Sequence, residues 1–379
     1  MKIALFTDGI YPYVIGGMQK HSFYLAKYLA GKKVFVDLYH TNNSSFDIDK
    51  LECFTTEEKA YIQPYVIPFL KKGKLPGHYV KASFTYSEEI FDIFKERSKV
   101  DFIYAKGFTA WKLLQEKQKG FVCSPVGVNF HGYEMFQKAP DFRTWLQHLL
   151  LLRQPVLYNT QEADCLFSYG GKITEIIKKN IPHPPRIIEI PAGIEKEWLN
   201  TMPLASKYPL KFIFIGRYER RKGIDELNRS IEQISAQYNF SFTFVGPIPM
   251  DKQLKLKNIH YAGSISDSNE MKKQLKSHDV LICPSHSEGM PNVILEAMAS
   301  GLAIIASDVG AVNKLVNSEN GMLISPGNQI EIKKAIESFI SMDRHDLDKM
   351  KESSLKQLQD QFLWEDIVVK TMNEISIIL

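Results

Sequence analysis

The segment Lys211–Gly223 reads KFIFIGRYERRKG. Lys211–Ile215 has the β-branched and aromatic composition of a buried strand, and Gly216 ends it. A turn rich in cations follows, and a helix is predicted to begin at about Gly223. Because strands that alternate with helices pair in parallel, with the helices covering both faces of the sheet, this segment predicts an α/β protein.

The same alternation runs through most of the chain. At the start, strand Lys2–Phe6, helix Met18–Ala30 and strand Val34–Tyr39 form a predicted βαβ unit. The other predicted strands are Phe102–Ala105, Val126–Phe130, Cys165–Ser168 and Ile187–Ile190, then Phe242–Val245, His260–Ala262, Val280–Cys283, Ala303–Ala306 and Gly321–Ile324. The other predicted helices of the first half are Tyr86–Lys99, Thr109–Lys117, Trp145–Leu152 and Ile173–Asn180, and the pattern after Gly327 is helical.

The length of 379 residues favours two domains. Pro191, Gly193, Pro203 and Pro209 mark a junction, after which a fresh strand begins. We therefore expect a Rossmann-like domain over residues 1–200 and a second over 201–360. A C-terminal helix over 361–379 is expected to pack back on the first domain.

Charge and cysteine content exclude several classes of protein. The chain has 47 Lys and Arg against 43 Asp and Glu, a net charge of +4, which is too small for a dedicated nucleic-acid binder. Its four cysteines are far apart, so neither a zinc site nor a disulfide framework is expected. We see no signal peptide, and the apolar cluster Leu149–Leu152 is too short to span a membrane. A cytoplasmic protein is expected.

Local motifs narrow the chemistry further. The sequence lacks the glycine-rich, zinc-protease and serine-hydrolase motifs of the common enzyme classes. Two D-x-D strings, Asp47–Asp49 and Asp346–Asp348, could hold a divalent metal, but neither follows an apolar strand. We interpret both as solvated surface, and no metal is expected.

The turn Gly216–Gly223 is the first candidate site. Arg217 and Lys222 lie between a strand and a helix N-terminus, where backbone N–H groups and the helix dipole attract anions. This arrangement is typical of a phosphate-binding turn. From the string alone, an exposed basic turn that also includes Arg220 and Arg221 is an equally good interpretation.

A second candidate follows the predicted strand Val280–Cys283. It reads SEGMPNVILEA from Ser287 to Ala297, with Gly289 in a tight turn before a helix. Glu288 and Glu296 could both line the crevice at the carboxyl edge of the sheet, where carboxylates can accept hydrogen bonds from sugar hydroxyls. The plainer alternative is one capping and one surface glutamate.

Taken together, these motifs resemble those of the family 4 nucleotide-sugar glycosyltransferases, which retain anomeric configuration and have the GT-B fold. The resemblance rests on four features in the same order: Gly16-Gly17, His131-Gly132, Gly216-Arg217 with Lys222-Gly223, and Glu288 with Glu296. One feature departs from the family pattern. Gly310–Lys314 stands where such enzymes have a Gly-Gly-x-Pro-Glu-like turn, so the family's donor contact or helix cap at this turn is not carried over to this chain. The resemblance implies two doubly wound Rossmann-like domains facing a central cleft.

The resemblance also implies roles for individual residues. Arg217 and Lys222 would hold the donor diphosphate, Glu288 and His131 would contact the transferred sugar, and Glu296 would accept hydrogen bonds from the ribose. The remaining implied donor-binding residues are Gly16, Gly17, Gly216, Gly263, Ser264, Ile265, Gly289, Met290, Pro291, Asn292 and Val293.

The expected reaction moves a hexosyl group from a nucleotide sugar, with UDP the favoured nucleotide, to a glycan or lipid-linked acceptor in envelope polysaccharide assembly. No cofactor is expected, because the cations and helix ends would do the work of a divalent ion. A front-face reaction fits better than a double displacement, although the sequence leaves both open. The stretch Phe142–Arg153, with Lys71, Lys72 and Lys74, suggests peripheral membrane contact, and an ordinary core helix is the alternative.

Two other functions remain open at this point. One is a non-catalytic two-domain protein that binds a sugar or nucleotide. The other is a nucleotide-sugar epimerase of the same fold, which would need no acceptor.

Overall fold

The computed structural model describes residues 1–41, 52–69, 77–97 and 99–379. They form two compact units: Met1–Phe136, Arg143–Ala192 and Trp364–Leu379 make the first, and Gln137–Phe142 with Gly193–Leu363 make the second. The units change at Ala192 and Gly193, inside the Pro- and Gly-rich stretch that predicted the junction and slightly before the predicted boundary at 200 and 201. The sequence did not indicate that Gln137–Phe142 belongs to the second unit.

The first unit is built on a seven-stranded parallel sheet with the order β3-β2-β1-β4-β5-β6-β7. Its strands are β1 (Lys2–Phe6), β2 (Phe35–His40), β3 (Ile62–Val66), β4 (Phe102–Lys106), β5 (Val126–Asn129), β6 (Cys165–Ser168) and β7 (Arg186–Glu189). The strand order reverses between β1 and β4. In open α/β sheets, ligands bind at the carboxyl ends of the strands beside such a reversal.

The second unit repeats this plan with a six-stranded parallel sheet in the order β10-β9-β8-β11-β12-β13. Its strands are β8 (Leu210–Ile215), β9 (Phe240–Val245), β10 (Ile259–Gly263), β11 (Val280–Cys283), β12 (Ala303–Ser307) and β13 (Gly321–Ile324). Here the order reverses between β8 and β11, the two strands that precede the predicted site segments. The α/β prediction with two doubly wound sheets is confirmed.

Helices cover both sheets. They are α1 (Gly17–Gly31), α2 (Thr56–Lys59), α3 (His78–Phe94), α4 (Trp111–Gln118), α5 (Phe142–Gln147), α6 (Arg153–Gln161), α7 (Lys172–Asn180), α8 (Ile224–Ile234), α9 (Ser268–Lys276), α10 (Asn292–Ala299), α11 (Val312–Leu315), α12 (Gln329–Ser341), α13 (Arg344–Gln361) and α14 (Trp364–Ile378). A π-helical turn over His148–Leu152 connects α5 to α6.

The last helix, α14, returns to the first unit and packs on α1, as the fold prediction requires. The indole of Trp364 stacks on Tyr28, with the ring centroids 5.9 Å apart, and is 1% exposed. Arg186 on β7 forms an ion pair with Glu374 at 2.7 Å. Helix α14 is therefore part of the first unit's core.

Some predicted boundaries were wrong. Helix α3 begins at His78, well before the predicted Tyr86, and ends at Phe94. Strand β3 was not predicted because it contains Pro64, which cannot donate to a sheet ladder. It lies at the edge of the sheet, where a proline is tolerated. Asp47–Asp49 and Lys71, Lys72 and Lys74 lie outside the described residues.

Candidate active site

The turn after β8 and the loop after β11 meet because these two strands are neighbours in the second sheet. Gly223 has φ of 70°, a conformation that favours glycine, and a Cβ there would lie 2.1 Å from the carbonyl oxygen of Pro284. The two segments therefore approach more closely than any other residue at 223 would allow. This contact brings Lys222 to Glu288.

Glu288 is a buried carboxylate held by three side chains. Lys222 Nζ lies 2.6 Å from Oε1, and Ser285 donates a hydrogen bond to the same oxygen at 2.8 Å. Arg221 Nη1 lies 3.3 Å from Oε2. Burial alone would raise the pKa of Glu288, but the charges of Lys222 and Arg221 and the hydrogen bonds from Lys222 and Ser285 outweigh it. The pKa therefore lies below its usual value, and the carboxylate is ionised at neutral pH.

Arg217 is joined to this cluster through Glu219. Arg217 Nη2 lies 3.0 Å from one oxygen of Glu219, and Arg221 Nη2 lies 3.6 Å from the other. Charges of opposite sign thus alternate from Arg217 through Glu219, Arg221 and Glu288 to Lys222. Since the Arg217 side chain is 70% exposed, its guanidinium is accessible to a ligand from solvent.

The fourth cation of the turn, Arg220, has a different role. Its guanidinium forms a bidentate pair with the buried Glu226 on α8, at 2.8 and 2.5 Å, and contacts His286 Nε2 at 2.9 Å. The hydrogen bond to Glu226 raises the pKa of Arg220. Arg220 therefore anchors the turn to the helix that follows it.

The Glu288–Met290 loop is fixed from two sides by main-chain contacts. A Cβ at Gly310, where φ is 56°, would lie 2.2 Å from the Glu288 carbonyl oxygen, and Ala311 N donates to the Gly289 carbonyl at 2.7 Å. Gln137 also donates to the Glu288 carbonyl, at 2.7 Å. Gly310 therefore supports the loop in a segment that departs from the family pattern. The sequence analysis did not identify Gln137 as a residue of this site, because no motif around it in the first half of the chain pointed to Glu288.

Glu296 lies on α10 with its side chain largely inward, 9% exposed. Asn292 and Val293 open this helix, and Pro291 is its N-terminal cap. The predicted residues from Gly289 to Val293 thus lead directly from Glu288 into the helix that carries Glu296. The structure places both carboxylates on one loop–helix segment beside the strand reversal.

Gly263, Ser264 and Ile265 leave the carboxyl end of the edge strand β10. Gly263 has φ of 71°, and a Cβ there would meet no atom within 4 Å. Gly263 and Ser264 are exposed. They lie at the same edge of the sheet as the other predicted residues of the second unit, and the Gly263 carbonyl accepts a hydrogen bond from the Gly246 N–H at 2.7 Å.

The predicted residues of the first unit also lie at the carboxyl edge of its sheet. Gly16 is the N-terminal cap of α1, and Gly17 begins the helix. His131 follows β5, is half-buried, and has the Tyr169 hydroxyl 2.9 Å from Nδ1. Burial, and next the nearby charge of Lys106, hold the pKa of His131 well below its usual value.

Residues 209–342 match the family model described as Glycosyl transferases group 1. They belong to the group 1 glycosyltransferases. This glycosyltransferase domain contains Arg217, Lys222, Glu288 and Glu296, and the resemblance to the family 4 enzymes is confirmed.

Two relatives support this placement. The putative teichuronic acid biosynthesis glycosyltransferase TuaC of Bacillus subtilis is 34% identical over 34% of this chain and 32% of its own length. N,N'-diacetylbacillosaminyl-diphospho-undecaprenol alpha-1,3-N-acetylgalactosaminyltransferase of Campylobacter jejuni is 29% identical over 39% of this chain and 40% of its own length. These matches span less than half of either relative.

A solved structure extends the likeness to the whole fold. Sucrose-phosphate synthase from Thermosynechococcus elongatus superposes with a TM-score of 0.79 and covers 98% of both chains, at 18% identity. At that identity the likeness concerns the fold alone. The glycosyltransferase domain therefore lies within a chain of GT-B architecture.

We expect Glu288→Gln to destabilise the second unit by about 1–3 kcal/mol at neutral pH, because Lys222 and Arg221 lose their ionised partner. The folded pKa of Glu288 lies below the unfolded one, so its stabilisation is fully present above about pH 5 and is lost as pH falls through the folded pKa. Urea unfolding of both proteins across this pH range measures the difference. Glu352→Gln, on the exposed side of α13, is the matched control. A difference that is constant down to acidic pH would contradict the assignment.

Proposed function

We propose that this chain transfers a hexosyl group from a nucleotide sugar, with UDP as the first nucleotide to test, to a glycan or lipid-linked acceptor, with retention of configuration. The main support is the pairing of Arg221 and Lys222 with Glu288, and of Arg217 with the neighbouring Glu219, at the strand reversal of a group 1 glycosyltransferase domain. A non-catalytic protein that only binds a sugar would not need three cations beside ionised carboxylates.

The cations would bind and stabilise the leaving group. The diphosphate gains negative charge as the glycosidic C–O bond breaks, and Lys222 and Arg217 would neutralise that charge. Helix α8 begins immediately after Gly223, so its dipole would add positive potential at the same place, which Asp225 and Glu226 in its first turn partly offset. Arg221 extends this positive field.

Glu288 would orient the sugar. Its carboxylate already accepts hydrogen bonds from Lys222 and Ser285, which weakens it as a nucleophile. A front-face reaction fits this arrangement: the acceptor oxygen bonds to the anomeric carbon on the side that the phosphate leaves. The electron pair of the broken bond goes to the phosphate oxygen, which takes the proton of the acceptor hydroxyl.

The other site residues take their roles from the family resemblance. Glu296 would accept hydrogen bonds from the ribose, and the backbone at Gly263–Ile265 would meet the base. His131 would contact the transferred sugar, and the N–H groups at Gly16 and Gly17 would meet the phosphate.

We also propose that the reaction needs no metal. Within the described ranges, no three His, Cys, Asp or Glu side chains lie close enough together to hold a metal ion. Asp346 is exposed and pairs with Lys349 at 3.5 Å, whereas Asp348 accepts a hydrogen bond from the Ser206 N–H at 2.9 Å. The cations of the turn would supply the positive charge instead.

For the acceptor, we propose a growing envelope polysaccharide or its lipid-linked precursor, at the inner face of the membrane. None of the helices in the described ranges combines the length and apolar character needed to cross a membrane. Leu146 and Leu150 lie four positions apart along α5 and the π-helical turn and are 38% and 67% exposed, and the adjacent Trp145 is 42% exposed. Such a stripe favours peripheral contact with an acyl-chain boundary.

Arg217→Ala and Lys222→Ala should each lower turnover by roughly two to three orders of magnitude even at saturating donor, because both act more strongly on the transition state than on bound substrate. Turnover is measured against UDP-sugar concentration, with and without EDTA. EDTA should leave wild-type turnover unchanged.

Lys356→Ala, an exposed position on α13, is the control for loss of a lysine. Full recovery of turnover at high donor would contradict the leaving-group role. Release of epimerised free donor without an acceptor would instead identify an epimerase.

Glu296→Ala should weaken nucleoside diphosphate binding by about 1.5–3 kcal/mol, the range for hydrogen bonds to a charged group. Calorimetric titration of UDP into the folded variant gives the affinity. Glu352→Ala removes an exposed carboxylate from the same unit and should bind UDP like the wild type. Unchanged affinity in Glu296→Ala would reject the ribose role.

Leu150→Ser should reduce co-flotation of the protein with liposomes that contain anionic lipid, because it removes an exposed apolar side chain from the membrane-facing stripe. Ile330→Ser, at a similarly exposed position of α12 (66%), is the control and should float as the wild type does. Equal flotation of the two variants would exclude the stripe as the membrane contact.

A further inference from the structure

Lys106 is a buried lysine for which the proposed reaction has no use. It ends β4 and is 1% exposed. Its Nζ lies 2.9 Å from His21 Nδ1 and donates to Asn129 Oδ1 at 2.9 Å. No carboxylate of the described residues forms an ion pair with it. Because a buried amine is costly without such a partner, an apolar side chain would serve packing better here.

The contacts of Lys106 connect three elements. His21 lies on α1 and Asn129 ends β5, so Lys106 on β4 ties both to the carboxyl edge of the sheet. Asn129 in turn donates to the Phe167 carbonyl on β6 at 2.7 Å. This polar bridge spans the point where the strand order of the first unit reverses.

His131 lies next to both residues that Lys106 contacts, in space to His21 and along the chain to Asn129. His131 follows Asn129 by two positions along the chain. Its ring also packs edge-on against His21, with centroids 5.5 Å apart. Tyr169, which follows β6, completes the surroundings through its hydroxyl. The titratable side chains in contact with the imidazole are thus His21 and Tyr169, and Lys106 acts on it through its charge.

Electrostatics couple the same groups. Burial, and next the charge of Lys106, lower the pKa of both His21 and His131. Burial also lowers the pKa of Lys106. The charge of Asp8, which follows β1, partly offsets this shift. Burial therefore disfavours a charge on all three groups, and a proton on Lys106 adds to this effect at both imidazoles. His131 can then act as a neutral hydrogen-bonding group.

We propose that Lys106 is a positioning residue for the transfer reaction, which holds the ring of His131 in place through His21, whose ring packs on it, and through Asn129, which ends the strand that leads to it. The proposal rests on the proposed function for the role of His131. The link between Lys106 and His131 itself concerns the first unit alone and needs no donor.

The test is Lys106→Met in the full chain, labelled with ring-13C histidine, with the His131 signal assigned through His131→Gln. In the wild type, the NMR titration midpoint of His131 should lie below the ordinary histidine value of about 6.5, and in Lys106→Met it should move to higher pH. At saturating donor, kcat should fall roughly tenfold or more because the ring is less well oriented. The acid limb of its pH profile should move upward with the midpoint.

Lys351→Met is the matched control. Lys351 is also 1% exposed, but it lies in the second unit and pairs with Asp279 at 2.9 Å. Its replacement should leave the His131 midpoint and the pH profile unchanged. An unchanged midpoint in folded Lys106→Met overturns the proposal, and so does a moved midpoint with an unchanged pH profile of kcat.

If Lys106→Met fails to fold, two other measurements still test the proposal. An ordinary His131 midpoint in the wild type overturns the proposal, and Lys106→Gln, which keeps a hydrogen-bond donor, repeats the comparison. Failure of every nucleotide sugar as a donor would instead count against the proposed function. The NMR titration needs no donor, so the two failures can be told apart.

Discussion

The ionised carboxylate of Glu288 has to be compensated where it is buried, and this requirement organises the second unit. Compensation comes from Lys222, Arg221 and Ser285, which reach Glu288 only because β8 and β11 are neighbours. A charge buried without partners would shift its pKa until it was neutral. The close approach of Gly223 to Pro284 is therefore an electrostatic requirement as well as a packing one.

The sequence predicted both sheets and the segments that carry the site, because strand composition and glycine positions are local signals. It could not decide which cations of the basic turn serve the site. The turn is a 3₁₀ helix over Arg220–Lys222, so successive side chains point about a third of a turn apart. Arg220 therefore reaches Glu226, whereas Arg221 and Lys222 reach Glu288. Only the fold reveals these partners.

The network around Lys106 was equally hidden from sequence reasoning. A lysine that ends an apolar strand usually extends into solvent. Its burial depends on His21 and Asn129, which are distant along the chain. Lys351 shows the more familiar solution, an ion pair with Asp279. The two buried lysines thus differ in what balances their charge, and only Lys351 has a carboxylate partner.

The short segment that starts at Gln137 gives the second unit an unusual dependence on distant sequence. Gln137 supports the main chain of Glu288, yet it is encoded far from residues 193–363, which form the rest of that unit. An exchange of that C-terminal block between relatives would leave Gln137 behind. Residues 193–363 are therefore not a module that is independent of the rest of the chain. Substitutions at Gln137 and in the Glu288 loop have to be compatible with each other during evolution.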